Sequence, residues 1–143
     1  AEYAPYEERL AAARRVAAHP SIVVSNFEQR KGLQYTVDTL ETMTALWPDM
    51  RFVWIMGADS FAGLDAWKDW RRIFTLAPIA VFARPDYNEA ALDGAAAREF
   101  AAFRCEGDAA PDLALSEPPA WAFFAETANP ISSTLLRRNK SGA

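Results

Sequence analysis

Two short segments of this sequence combine side chains that could bind a nucleotide. The first, "MGADS", places Gly57, Asp59 and Ser60 directly after an apolar run. Glycine permits close approach of the backbone, and the Asp59 carboxylate can accept hydrogen bonds from ribose hydroxyls. Asp and Ser are also common helix N-caps, and their spacing alone favours that interpretation. The segment therefore predicts either a nucleotide contact or the start of a helix.

The second segment, "ISSTLLRR", follows an apolar run near the end of the chain. Ser132, Ser133 or Thr134 can cap a helix, and the free amides of a helix N-terminus attract phosphate. Arg137 lies one turn after Ser133 on the same predicted helix face, where a charge-assisted hydrogen bond to an anion contributes about 1.5–3 kcal/mol. A capped, solvated terminal helix explains the pattern equally well.

Three further positions offer recognition groups. Trp67 and Trp70 lie three residues apart on one predicted helix. Such pairs usually belong to the core. Trp67 is near the start of the helix, however, where its ring can stack on an aromatic ligand, and such stacking contributes about 1–3 kcal/mol. Tyr35 and Thr36 begin another predicted helix and can offer amides to a carboxylate. Arg84 leaves a predicted strand, where a salt bridge on the rim is the alternative to a substrate contact.

Composition limits the classes of function. The chain has 143 residues, enough for one domain with a sizeable core, and a net charge of −4 argues against nonspecific binding to nucleic acid or to an anionic membrane. One cysteine, Cys105, and one histidine, His19, cannot form a metal cluster, so no protein metal ligand is expected. No apolar stretch approaches the roughly 20 residues of a membrane span, and we expect a cytoplasmic protein.

Periodicity predicts alternating helices and strands. Apolar or β-branched runs predict strands at 21–25, 51–57, 78–84 and 121–126, and helical spacing predicts helices at 5–19, at 37–47 with Thr36 as cap, at 65–76, at about 88–104 and from Ser132. The alternation indicates an α/β fold: a Rossmann-like open parallel sheet with helices on both faces, in a single domain over residues 1–143. In such a sheet, ligands bind beyond the carboxyl ends of the strands.

In this order, the segments resemble the bacterial nicotinate-nucleotide adenylyltransferases of the nucleotidyltransferase superfamily. The resemblance covers nearly the whole chain and rests on these stretches: "YTVDTL" (35–40), "FVWIMGADSFAGLDAWKDWRRI" (52–73), "VFARPDY" (81–87) and "ISSTLLRR" (131–138). It implies transfer of AMP from ATP to nicotinate mononucleotide in NAD biosynthesis, giving deamido-NAD and pyrophosphate with Mg²⁺ present. The implied partners are these small molecules, with a homo-oligomer possible.

The resemblance also implies a role for each matching residue. Gly57, Asp59 and Ser60 match the turn that holds the ribose and adenine of ATP. Trp67 matches the tryptophan that stacks on the nicotinate ring, and Arg84 matches an arginine near the substrate. The amides of Thr36, beside Tyr35, and of Lys68 match those that receive the nicotinate carboxylate. The residues that match the family's binding segment for the phosphates of ATP are Ile131, Ser132, Ser133, Thr134 and Arg137. Arg137 is the expected catalytic residue.

One family signature is not in these residues. The family has a glycine-rich turn followed by H-x-G-H, which contacts the phosphates of ATP, whereas the only histidine here stands in "AAHPS". We expect the 143 residues to be N-terminally incomplete, with a strand–helix–strand unit of at least roughly 30 residues before Ala1, and to be inactive or badly impaired by themselves.

Three alternatives stay open. The acceptor could be nicotinamide mononucleotide or phosphopantetheine, although Trp67 with Thr36 favours a flat aromatic acid. The chain could be a nucleotide-binding module without catalysis, which the missing histidine motif favours. It could also be an unrelated parallel α/β protein whose helix caps imitate the motifs.

Overall fold

The computed structural model describes residues 4–106, 110 and 112–125. One compact unit ends at Gln34 and a second begins at Tyr35. The prediction of one domain over 1–143 stays a prediction. The helices and strands are α1 (Tyr6–Val16), α2 (Phe27–Lys31), α3 (Thr36–Leu46), β1 (Trp54–Gly57), α4 (Ala58–Ala62), α5 (Trp70–Leu76), β2 (Ile79–Phe82), α6 (Asn88–Leu92), α7 (Ala95–Glu99) and β3 (Trp121–Phe124), with 3-10 turns at Leu64–Ala66, Ala101–Phe103 and Leu113–Leu115.

The first unit contains α1 and α2. The helix predicted at 5–19 is confirmed as α1, which starts after Pro5. The strand predicted at 21–25 is wrong, because this segment begins with a turn. The amide of Ser21 donates to Nδ1 of His19 at 3.1 Å, and the amide of Ile22 donates to the carbonyl of His19 at 2.9 Å. These local bonds use amides that a strand would offer to a neighbour.

The second unit is built on a parallel sheet of order β1-β2-β3. Gly57 pairs with Phe82, and Phe82 pairs with Phe124, so the three strands end level with one another. The predicted strands at 51–57, 78–84 and 121–126 are confirmed in shorter form, and so is the parallel α/β architecture. The segments that follow the strands therefore begin at one edge of the sheet, where the sequence places the ligand site.

The two faces of the sheet are covered differently in the described residues. Met56, Val81 and Trp121 lie on the face that packs against buried side chains of α3, α4 and α5. The opposite face, which includes Ala80 and Ala122, is covered in part by Leu113 of the last 3-10 turn. Ile55 of β1, which pairs with Ala80 of this face, is 66% exposed.

Three helix predictions need correction. The N-cap of α3 is Tyr35, and Thr36 is its first helical residue, so the hydroxyl of Thr36 is not the cap. The helix predicted at 65–76 is interrupted by Asp69, whose φ of 45° and ψ of 39° are left-handed and cannot continue a right-handed helix. The helix predicted at 88–104 breaks at Gly94, where an added Cβ would lie 3.0 Å from the carbonyl oxygen of Ala90. The helix predicted from Ser132 lies outside the described residues.

Candidate functional site

The turn between β1 and α4 places a glycine against two charged side chains. Gly57 ends β1 and is the N-cap of α4, with extended φ and ψ of −81° and 159°. An added Cβ at Gly57 would lie 3.0 Å from Nε of Arg84 and would collide with Oδ1 of Asp59. An alanine at Gly57 would therefore require these side chains to shift, and the structure brings Gly57, Asp59 and Arg84 together.

Asp59 and Ser60 do not cap the helix. Because Gly57 is the N-cap of α4 and no side chain caps it, Asp59 and Ser60 are the second and third residues of the helix itself. The interpretation of these residues as N-caps is therefore wrong. The Asp59 side chain is 48% exposed at the sheet edge, so it is accessible to a ligand, and Ser60 is half-buried.

Arg84 is held at the same edge by its backbone and by its charge. Its amide donates to Oδ1 of Asn88 at 2.8 Å, and the preceding amide, of Ala83, donates to the carbonyl of Phe124 at 3.0 Å. Its Nε lies 3.8 Å from Oδ1 of Asp59, so the salt bridge expected as the alternative is present. At this separation the pair is loose and half-exposed at the edge of the sheet.

A second group of predicted residues gathers at the start of α3. Nζ of Lys68 donates to both carboxylate oxygens of Asp38, at 2.9 and 3.0 Å. The same ammonium lies 4.9 Å from the centroid of the Tyr35 ring, within cation–π range. The side chain of Lys68 therefore joins the turn before α5 to the first turn of α3, in which Thr36 is the first residue. Asp38 is a residue that sequence reasoning missed; an acidic side chain in the first turn of a helix was the available signal.

The hydrogen bond to Asp38 raises the pKa of Lys68 above its ordinary value of 10.5. Lys68 is consequently protonated throughout the physiological range, and its charge is offset locally by Asp38. The amide of Lys68 and the amide of Thr36, the first of its helix, are the two main-chain donors that the family resemblance implies for the nicotinate carboxylate.

Trp67 and Trp70 have different environments. Trp67 follows a 3-10 turn, donates its amide to the carbonyl of Leu64 at 2.9 Å and is half-buried at the margin of the core. Trp70 is only 7% exposed and packs edge-on against Phe74 and Phe100. The prediction that both lie on one helix is wrong, because Asp69 separates them. Only Trp67 retains a face accessible to a ligand.

The phosphate-binding residues of the prediction lie outside the described residues; they are Ile131, Ser132, Ser133, Thr134 and Arg137. Within the described ranges, no three His, Cys, Asp or Glu side chains converge as metal ligands. No helix in the part of the chain that the structure describes is long and apolar enough to cross a bilayer.

Comparison with known proteins identifies the family. Residues 1–139 match the family described as cytidylyltransferase-like. A probable nicotinate-nucleotide adenylyltransferase of Rhizobium meliloti (strain 1021) is 44% identical over 139 residues, which cover 97% of this chain and 74% of that protein. The chain belongs to the nicotinate-nucleotide adenylyltransferases. The prediction of a nucleotidyltransferase of NAD biosynthesis is thus confirmed at the level of the family.

Other nicotinate-nucleotide adenylyltransferases are similar over the same extent. The probable enzyme of Ruegeria pomeroyi is 40% identical over 134 residues, covering 94% of this chain and 63% of that protein. The probable enzyme of Gluconacetobacter diazotrophicus is 45% identical over 134 residues, covering 94% and 62%. The chain therefore spans between 62 and 74% of the length of these three relatives.

A solved structure shares the fold. Plasmodium falciparum nicotinic acid mononucleotide adenylyltransferase, complexed with APC, superposes with a TM-score of 0.55 at 15% identity, covering 91% of this chain and 56% of that one. At this identity the likeness concerns architecture alone, and it agrees with the open parallel sheet.

Proposed function

We propose that the protein transfers the adenylyl group of ATP to nicotinate mononucleotide. A phosphate oxygen of the mononucleotide attacks the α-phosphorus of ATP, the bond from that phosphorus to the β-phosphate bridging oxygen breaks, and pyrophosphate leaves. The products are deamido-NAD and pyrophosphate. No protein nucleophile is needed, so catalysis comes from orientation and from stabilisation of developing charge.

The observation that carries this proposal is the meeting of Lys68 with the first turn of α3. Lys68 bonds through its side chain to Asp38, two residues after Thr36, and the half-buried Trp67 directly precedes Lys68 in the chain. These observations support the assignment of the main-chain amides of Thr36 and Lys68 to one carboxylate. A flat ring stacked on Trp67 would present a substituent to these donors. Because amides donate hydrogen bonds, they suit a carboxylate, which accepts several, better than a carboxamide, whose NH₂ group only donates.

ATP is assigned to the neighbouring turn. Gly57 lets the nucleotide approach the backbone, and Asp59 and Ser60 provide acceptors for ribose and adenine groups. Arg84, across from Asp59 at 3.8 Å, is assigned to the acceptor substrate. The loose Arg84–Asp59 contact supports a place where the two substrates adjoin.

The phosphates of ATP are assigned to the segment from Ile131 to Arg137. Ser132, Ser133 and Thr134 would offer hydroxyls and amides there. Arg137 would stabilise the charge that develops on the transferred phosphate.

Magnesium is proposed to arrive with ATP. The described residues contain no cluster of three side chains that could bind a metal ion. Mg²⁺ commonly binds through substrate phosphates and water, with few protein ligands. No step of the proposed reaction is assigned to a protein-held ion. We also propose that the protein acts in the cytoplasm.

The test is pyrophosphate release by the complete protein from ATP and Mg²⁺, with nicotinate or nicotinamide mononucleotide as the acceptor. Release should be much faster with the nicotinate form. Equal rates would contradict the carboxylate pocket, and a faster reaction with nicotinamide mononucleotide or phosphopantetheine would assign another acceptor. Binding of ATP without release by any acceptor would indicate a nucleotide-binding module.

A further inference from the structure

The ion pair between Lys68 and Asp38 joins the two elements that carry the proposed carboxylate donors. Thr36 and Asp38 both lie in the first turn of α3, and Lys68 lies in the turn between the 3-10 helix and α5. One ammonium bonds to both oxygens of the carboxylate, at 2.9 and 3.0 Å, so the bond constrains the orientation of Asp38 as well as the distance. The pair therefore ties together the residues whose amides must point at one ligand.

Two further features fix this arrangement. The Tyr35 ring lies 4.9 Å below the ammonium and limits where the Lys68 side chain can move. Asp69 adopts a left-handed conformation directly after Lys68, which sets the direction of the chain at the assigned amide. The constraint therefore acts on the backbone of Lys68 from its side chain and from the following residue.

We propose that the Lys68–Asp38 ion pair is a positioning element that sets the preference for a carboxylate over a carboxamide on the acceptor ring. This inference rests on the proposed function. By joining the first turn of α3 to the turn before α5, the pair limits how far the amides of Thr36 and Lys68 can move relative to each other. It also neutralises Asp38, whose charge would otherwise repel the acceptor.

A second ion pair provides a matched control. Arg72 of α5 bonds to Glu41 of α3, so this pair also links α3 to the neighbourhood of α5, about one helical turn beyond Asp38. Both pairs are partly exposed, so their contributions to stability should be similar. Only the Lys68–Asp38 pair includes a residue whose amide is assigned to the ligand.

The experiment measures kcat and KM of the complete protein with nicotinate and with nicotinamide mononucleotide. Lys68→Met and Asp38→Asn should each lower the ratio of kcat/KM for nicotinate over nicotinamide mononucleotide by about tenfold, because a misplacement of about 1 Å can cost roughly a hundredfold and the shift expected here is smaller. The double variant should have the same acceptor ratio as either single variant, because each substitution already removes the whole ion pair. Lys68→Arg should retain most of the preference, and KM for ATP should not change.

The controls Glu41→Gln and Arg72→Met should leave the acceptor ratio unchanged. The proposal is overturned if Lys68→Met keeps the wild-type ratio. It is equally overturned if Asp38→Asn increases the preference for the nicotinate form, because Lys68 would then act as a bare attractive charge. A wild-type protein without acceptor preference would instead reject the carboxylate pocket itself, so the two failures are distinguishable.

Discussion

At the scale of single residues, the site depends on how closely side chains approach the backbone. Gly57 has ordinary extended dihedrals, so its conformation does not explain why it is glycine. The reason is that Arg84 and Asp59 occupy the space that a Cβ would need. A methyl group there would displace both charged side chains from the edge of the sheet.

Gly57→Ala should therefore lower kcat/KM of the complete protein by about 10- to 100-fold, because it misplaces groups assigned to both substrates. Steady-state kinetics with each substrate varied in turn measures this. Gly63→Ala is the matched control, since nothing lies within 4 Å of an added Cβ at Gly63 and its φ of −109° suits alanine. Wild-type kinetics in Gly57→Ala would show that the approach of Arg84 has no role in binding.

Trp67 is the residue on which recognition of the acceptor ring depends. Trp67→Ala should raise KM for nicotinate mononucleotide by about 5- to 150-fold, the equivalent of a stacking contribution of about 1–3 kcal/mol, and leave KM for ATP unchanged. Trp70→Phe, a change within the core, should alter stability without this effect. A larger change in KM for ATP would place the Trp67 ring against adenine.

At the scale of elements, ion pairs connect α5 and the turn before it to the neighbouring helices. Nη2 of Arg71 donates to Oε2 of Glu99 of α7 at 2.9 Å, and Arg72 bonds to Glu41 of α3. Lys68 adds the third connection, to Asp38. Exposed pairs of this kind contribute little to stability individually. Of the three, only the Lys68 pair starts from the turn before α5.

The Lys68 connection should depend on pH only in the alkaline range. Its hydrogen bond to Asp38 raises the pKa of Lys68 above 10.5, with Asp69 and Tyr35 also favouring the charged form. A raised folded-state pKa gives a stabilising contribution that is complete below about 10.5 and disappears as pH rises through the folded value. The difference in thermal midpoint between wild type and Lys68→Met should stay constant from pH 7 to about 10 and then shrink. A difference that shrinks already by about pH 9 would contradict the raised pKa.

At the scale of the whole second unit, one aromatic cluster connects the sheet to its helices. The ring centroids of Phe61 of α4 and Trp121 of β3 lie 5.0 Å apart, and Phe74 of α5 stacks on Phe100 at 3.8 Å. The indole N–H of Trp121 donates to the carbonyl of Phe100 at 2.8 Å. The cluster thereby holds α4 and α5, which flank the candidate site, against one face of the sheet.

Phe61→Ala should destabilise the protein by about 3–5 kcal/mol, because Phe61 is fully buried and its removal leaves a cavity. Urea unfolding of the complete protein measures the change in the free energy of unfolding. Phe103→Ala, at a side chain that is 44% exposed, should change it by less than about 1 kcal/mol. Similar losses for the two variants would contradict a central role for Phe61.

The sequence predicts the sheet well because the strands of a parallel sheet are often short, continuous apolar runs, as in 51–57 and 78–84. It also places Gly57 and Arg84 at the same edge, since strand ends align in a parallel sheet. It does not predict the break at Asp69, because aspartate is compatible with a helix and with the left-handed conformation alike. The bond from Lys68 to Asp38 is equally unpredictable, because it depends on how the turn before α5 packs against α3.

The left-handed backbone of Asp69 sets thermal stability against acceptor specificity at this position. Residues with a Cβ adopt that conformation at a cost in free energy, and glycine avoids the cost while loosening the turn. Selection for heat resistance would therefore favour replacements here that selection for the correct metabolite would remove. A directed-evolution experiment that screens only for survival after heating should accumulate changes at Asp69, and the surviving enzymes should have become less discriminating catalysts.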